Sequence, residues 1–178
     1  MPSAVDYPRG VSTTFDLGRL GLTAGEGRRF ALDVPLDGFL FGGERYTVEP
    51  ERVGLTLDVA RMTHGGWSLR LRFSAHVAGP CMRCLTGASP EVVVDAREVD
   101  QPGADSDQLD SPYVDGDDLD VSAWAHDALA LALPAQIVCR EDCAGLCPVC
   151  GQDLNARPHE HPREPDQRWA KLAELRLE

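Results

Sequence analysis

Four of the chain's six cysteines fall within twelve residues, as Cys139-x3-Cys143-x3-Cys147-x2-Cys150, and no other feature constrains the fold as tightly. Two or three intervening residues let a pair of sulfurs reach one ion at about 2.3 Å, and four thiolates satisfy tetrahedral zinc. In Cys147-Pro148-Val149-Cys150-Gly151, the glycine after the second cysteine lets backbone amides turn toward sulfur, in the manner of a zinc knuckle. Buried, unliganded cysteines acting as small hydrophobes are the alternative. The intervening Arg140, Glu141, Asp142, Gly145 and Pro148 offer no apolar face for that role. The stretch therefore predicts Zn2+ held by Cys139, Cys143, Cys147 and Cys150.

Cys81-Met82-Arg83-Cys84 is a second Cys-x2-Cys, and three readings of it stay open. The pair can join Cys147 and Cys150 in a ribbon-like site, leaving Cys139 and Cys143 for another use. It can share a second zinc with His159 and His161. It can also be an unmetallated, redox-active thiol pair. A thioredoxin-type thiol needs a helix N-terminus to lower its pKa, whereas Gly79-Pro80 precedes Cys81. His159-Glu160-His161, set among Pro158, Pro162 and Pro165, also reads as an exposed polar loop, and His64 and His126 as structural or solvent-facing residues.

A closed, all-cysteine set lacks the open coordination position that catalytic zinc requires. The chain carries no glycine-rich phosphate loop, no Gly-x-Ser-x-Gly and no His-Glu-x2-His. Nor does it carry the zinc-deaminase arrangement, because His159-Glu160-His161 follows the cysteines. A non-catalytic protein is expected.

Upstream of Cys81 the pattern is that of a sheet. Val53, Leu55, Leu57 and Val59 alternate with Gly54, Thr56, Asp58 and Ala60. Trp67, Leu69, Leu71, Phe73, Ala75 and Val77 alternate with Ser68, Arg70, Arg72, Ser74, His76 and Ala78. Period 2 sustained this long marks half-buried antiparallel strands, and His64-Gly65-Gly66 supplies the hairpin turn. Arg29 to Val34, Tyr46 to Val48 and Glu91 to Val99 are further strand candidates. Asp120 caps a predicted helix from Val121 to Leu133, ending at Pro134, with Trp124, Ala125, Ala128 and Leu131 or Ala132 as its apolar stripe. Asp166 caps a final helix carrying Trp169, Leu172 and Leu175. The expected fold class is α+β, an antiparallel β-sheet domain followed by a helix, a zinc knuckle and a C-terminal helix. Its parts are a tail (1–14), the β domain (15–100), an acidic loop or linker (101–118) and a helical, zinc-binding part that packs on the sheet (119–178).

The net charge of −12 disfavours nucleic acid only until its distribution is considered. Nine acids and no Lys or Arg lie between Glu98 and Asp120, which leaves −3 for everything else. From Arg52 to Arg97 six arginines face three acids. Arg70 and Arg72 share one strand face with His76, and Arg83 sits at the strand tip, so a row of phosphate contacts is one reading and a solvated sheet face the other. No run of 18 apolar residues suggests a membrane span, and Met1 to Arg9 does not read as an export signal, so a cytoplasmic location is expected. In that reducing compartment six cysteines point to metal rather than disulfides.

The order and spacing of several segments resemble one family. They are Cys81-Met82-Arg83-Cys84-Leu85, Leu131-Ala132-Leu133-Pro134, Cys143-Ala144-Gly145-Leu146-Cys147-Pro148-Val149-Cys150-Gly151, Leu154-Asn155 and Asp166-Gln167-Arg168-Trp169. The chain is similar to the YceD-like proteins, called large ribosomal RNA subunit accumulation proteins. Many relatives place Cys-x-Cys shortly after Leu-Asn, where this chain has His159-x-His161. The resemblance implies a role in large ribosomal subunit biogenesis, supporting accumulation of 23S rRNA through its precursor or a large-subunit ribosomal protein. Two other readings stand beside it. One is an adaptor or chaperone for a basic ribosomal protein, working through the acidic segment. The other is a zinc- or redox-responsive regulator using Cys81 and Cys84.

Overall fold

The computed structural model describes residues 13–101 and 109–162. Its largest body is an antiparallel sheet built on one long strand. The strands in chain order are β1 (Thr14–Asp16), β2 (Gly27–Pro35), β3 (Phe39–Phe41), β4 (Glu44–Glu49), β5 (Arg52–Arg61), β6 (Trp67–Pro80), β7 (Gly87–Ala88), β8 (Glu91–Asp100), β9 (Val114–Asp115) and β10 (Asp118–Asp120). The helix α1 spans Val121–Ala132. Among the described residues the protein is thus mostly antiparallel β with one α-helix. The predicted C-terminal helix lies outside the described residues.

β6 organises the sheet. β8 pairs with it from Trp67↔Asp100 to His76↔Glu91, while β5 and then β4 pair with it through Leu57↔Leu71 and Val48↔Val77. β2 closes the β5 side through Phe30↔Leu57. The register puts every second residue on one buried face: Val53, Leu55, Leu57 and Val59 beside Leu69, Leu71, Phe73 and Ala75, then Val92 and Val94. The alternation in the sequence is therefore a one-sided core, as period 2 requires. The turn between β5 and β6 closes with Met62 N donating to Gly66 O at 3.1 Å, and Gly65 and Gly66 both adopt positive φ.

α1 lies over the buried face. Asp120 caps it by accepting from Ala123 N at 3.0 Å. Its inner residues are Val121, Trp124, Ala125, Ala128 and Leu129. The stripe turns one position from the expected one, for Leu131 is 89% exposed and Leu129 takes its place. Residues 109–120 of the acidic stretch fold back onto the N-terminal part. β9 and β10 form a small sheet with β1, and the buried Ser111 gives its backbone N–H to Asp100. No helix among the described residues is long and apolar enough to cross a membrane.

Candidate metal centres

β6 ends at Pro80, and the chain turns at once through Cys81-Met82-Arg83-Cys84. Cys81 N donates to Thr86 O at 2.6 Å and Leu85 N to Cys81 O at 3.0 Å, a tight loop that leaves Leu85 at φ 63°. The segment after α1 runs back alongside this loop, with Met82 N donating to Ile137 O at 2.8 Å. Cys81 and Cys84 thereby meet Cys139 and Cys143, and the four sulfurs lie within 4.8 Å of one another. Cys81 Sγ is 3.9 Å from Cys143 Sγ, and Cys84 Sγ is 3.6 Å from Cys139 Sγ. Four thiolates about 2.3 Å from a central ion stand roughly 3.8 Å apart, whereas a disulfide requires about 2.05 Å. All six cysteines are free thiols, and this set fits a tetrahedral ion.

The loop around these sulfurs is aimed at holding negative charge. Arg83 N points at Cys81 Sγ, 3.5 Å away, the Thr86 hydroxyl lies 3.0 Å from Cys84 Sγ, and Asn155 Nδ2 lies 3.6 Å from Cys143 Sγ. Burial pushes the Cys81 thiol up, but the backbone amides of Arg83, Cys84 and Cys139 more than offset it and bring it to about 6. Thr86 lowers Cys84. Cys139 goes the other way, raised to about 11 by burial and by the neighbouring thiols. Without a cation the four sulfurs cannot all ionise together, and a divalent ion removes that conflict.

The second set is built from one short stretch. Cys147, Cys150, His159 and His161 bring their ligand atoms within 4.8 Å of one another. Cys147 accepts from the amides of Cys150 and Val149, which hold its thiol down at about 6. Gly151, at φ 72°, turns the chain so that its N–H reaches Cys147 O at 2.8 Å. His159 Nδ1 is 2.8 Å from Arg157 O, and a carbonyl only accepts, so Nδ1 carries the proton. Nε2 is thus the lone-pair nitrogen, and it faces Cys150 Sγ at 3.1 Å. Two thiolates and two imidazoles also suit tetrahedral zinc.

The sequence leaves open which pairs could share an ion; in the structure Cys139 and Cys143 gather with Cys81 and Cys84, while Cys147 and Cys150 gather with His159 and His161. The reason lies at Ala144-Gly145-Leu146. Leu146 N donates to Arg83 O at 3.0 Å, Leu146 bridges to Asp153, and Leu154 N donates to Gly145 O at 2.9 Å. These bonds turn the chain between Cys143 and Cys147 and send the two halves to different sites. Gly145 sits at φ 77° with Arg83 O where a side chain would go. Asn155 braces the first set: its Oδ1 accepts from Ala144 N and Arg140, while Nδ2 reaches Cys143 Sγ and Asp153. Sequence reading gave Asn155 no role of its own beyond the Leu-Asn resemblance.

The three arginines marked as phosphate contacts occupy different settings. Arg70 forms two bonds to Asp95, with Nε at 2.7 Å, and Arg72 Nη2 donates to Asp58 at 2.9 Å. Arg29 Nε meets Asp58 at 2.6 Å, and Arg97 stands opposite Arg70 in the register. Arg29, Arg70, Arg72 and Arg97 thus gather with Asp58 and Asp95 on the outer sheet face, and the Arg52–Asp33 pair and Glu91 lie further along it. The Arg29 hydrogen bond lowers Asp58, and the Arg70 hydrogen bond lowers Asp95. Arg83 is exposed but bonded within the chain, its Nε donating to Gln136 Oε1 at 2.9 Å and its Nη1 to Cys143 O at 3.1 Å. His76 Nδ1 lies 3.1 Å from Ser89 O, and His126 stacks on Phe39.

Residues 69–176 match the sequence model of the family described as "Large ribosomal RNA subunit accumulation protein YceD". Curated relatives include an uncharacterised protein of Mycobacterium tuberculosis strain H37Rv, 36% identical over 107 residues, which are 57% of this chain and 52% of that protein. An uncharacterised protein of Mycobacterium bovis matches with the same identity and coverage. One from Mycobacterium leprae is 32% identical over 108 residues, 57% of this chain and 49% of its own length. The chain spans about half the length of the curated relatives it matches. No solved structure matches it significantly.

Proposed function

We propose that this chain, which belongs to the YceD family of large ribosomal RNA subunit accumulation proteins, is a non-catalytic, zinc-binding factor that supports 23S rRNA accumulation by contacting precursor rRNA. The observation that carries the role is the family match, which covers both cysteine sets and, of the sheet, β6 from Leu69, β7 and β8. The family's name describes a large-subunit accumulation factor and no reaction. The donor sets favour zinc among the divalent ions, because thiolates and imidazoles in tetrahedral array suit it. Filling all four positions with protein ligands leaves none for a substrate, so the ions serve as braces.

The outer face of β2, β5, β6 and β8 is the surface we assign to RNA. Its ion pairs are half-exposed, and pairs open to solvent contribute about 0–1 kcal/mol each. A phosphate can therefore replace Asp58 or Asp95 as an arginine's partner at small cost. Arg83 lies off this face at the tip of β6, exposed but bonded to Gln136 and Cys143. Affinity purification from growing cells, with sequencing of the bound RNA, tests the reading. Wild-type protein should enrich 23S precursor over 16S, and Arg70→Glu with Arg72→Glu should lower that enrichment. Equal recovery by the double variant would remove this face from the assignment.

A second reading has support from the exposed Asp115, Asp117 and Asp118 around β9 and β10, which suit a basic ribosomal protein. Recovery of one such protein without rRNA would favour it. A regulator working through accessible Cys81 and Cys84 finds less support, because both thiols are buried against Cys139 and Cys143.

A further inference from the structure

The two metal sets differ in construction, and the difference has a functional consequence. Resting on the zinc reading above, we infer that Cys147, Cys150, His159 and His161 form an exchangeable metal site, while Cys81, Cys84, Cys139 and Cys143 retain their ion. Metal-responsive behaviour resides at the Cys2His2 set and not at Cys81 and Cys84.

Access separates them first. In the first set Cys81, Cys84 and Cys143 are 0, 6 and 3% exposed and Cys139 alone is exposed, whereas in the second set only Cys147 is buried and both Cys150 and His161 are exposed. Connectivity separates them next. The retained set joins the end of β6 to the segment after α1, so releasing its ion means parting Met82 from Ile137 and Arg83 from Leu146. The exchangeable set draws all its ligands from residues 147–161. Its histidine arm is held by local bonds, Arg157 N to Asp153 O at 3.0 Å and His159 Nδ1 to Arg157 O. Segments with few buried contacts open at low free-energy cost. Charge separates them third. Four thiolates and a dication sum to −2, while two thiolates, two neutral imidazoles and a dication sum to zero, so the first ion is held by the stronger field.

Zinc-loaded full-length protein challenged with a chromophoric zinc chelator should release two equivalents in two phases. The sulfurs of the retained set carry hydrogen-bond donors from Arg83, Thr86 and Asn155. The second set has outer partners of its own at Cys147 and His159, so the difference lies in opening, and the need to part Met82 from Ile137 and Arg83 from Leu146 should separate the two release rates by at least about tenfold. The fast equivalent should vanish in His159→Asn with His161→Asn, with far-UV circular dichroism unchanged. Should that variant not fold, alkylation of the wild-type protein during chelation provides the same test, for Cys147 and Cys150 should be modified before Cys81 and Cys84. Release in one phase, loss of the slow phase on histidine substitution, or earlier alkylation of Cys81 and Cys84 would overturn the inference. Protein that binds no zinc in any preparation would instead remove the metal reading on which it rests.

Discussion

Arg83 separates two accounts of this surface, because a phosphate contact and an internal clamp respond differently to truncation. Arg83→Ala deletes two side-chain hydrogen bonds, Nε to Gln136 Oε1 at 2.9 Å and Nη1 to Cys143 O at 3.1 Å. Net hydrogen-bond contributions are about 0.5–1.5 kcal/mol each, and the exposure of Arg83 places these toward the lower end. The expected loss is then about 1–2 kcal/mol, which for a chain of this size corresponds to a Tm decrease of roughly 2–8 °C. The carbonyl released by Arg83 belongs to a metal ligand, Cys143, so the slow phase of zinc release should also quicken. Arg83→Lys restores the charge without the planar fork and should recover little of either effect. Calorimetry of the zinc-loaded proteins and chelator kinetics provide the readouts. If Arg83→Ala leaves Tm and zinc release untouched while lowering rRNA recovery, the clamp is refuted and Arg83 is a phosphate contact after all.

Two further outcomes follow from burial and titration. Leu71 is fully buried in β6, between Leu57 on β5 and Ala96 on β8. Leu71→Ala should cost about 3 kcal/mol in urea unfolding, as cavity formation in a packed core does; a loss below about 1 kcal/mol would mean that this core collapses around the gap. Burial raises Glu98, whereas Arg29 and Arg70 lower Asp58 and Asp95. A raised carboxyl contributes stability below its unfolded pKa that is lost as pH climbs through the folded value, and lowered carboxyls contribute stability that is lost as pH falls through theirs. Glu98→Gln should therefore remove a fall in stability that sets in as pH rises above 4.5, and Asp58→Asn a fall that sets in as pH drops below 3.8. The same slope change in both variants would contradict these assignments.

The sheet was legible because its signal is local. Alternation along β5 and β6 encodes both the extended backbone and which side faces the core, and the two glycines after His64 encode the turn. The α1 stripe was legible only in part. Periodicity admits both Leu129 and Leu131 near the end of a helix, and the tilt of the helix on β8 decides between them. Residues 109–120 of the acidic stretch gave no signal of their own, since β9 and β10 are two and three residues long and depend on β1, a hundred positions earlier.

The candidate metal ligands were legible as residue types but not as sets. Short spacing identifies which cysteines can sit on one turn, and on that evidence four within twelve residues looked like a single centre. Which pairs share an ion is a question of long-range geometry. β6 delivers Cys81 and Cys84 to the place where the segment after α1 delivers Cys139 and Cys143, more than fifty residues later. Once those four are together, Cys147 and Cys150 need other partners, and the nearest suitable donors along the chain are His159 and His161. The distribution into one enclosed and one exposed centre is thus a consequence of β6 register, with Arg83 O and Gly145 fixing the point where the chain divides. Adding a side chain at Gly145, which would press on Arg83 O in a left-handed backbone, should accordingly disturb both centres at once, whereas substitutions at His159 or His161 should disturb one.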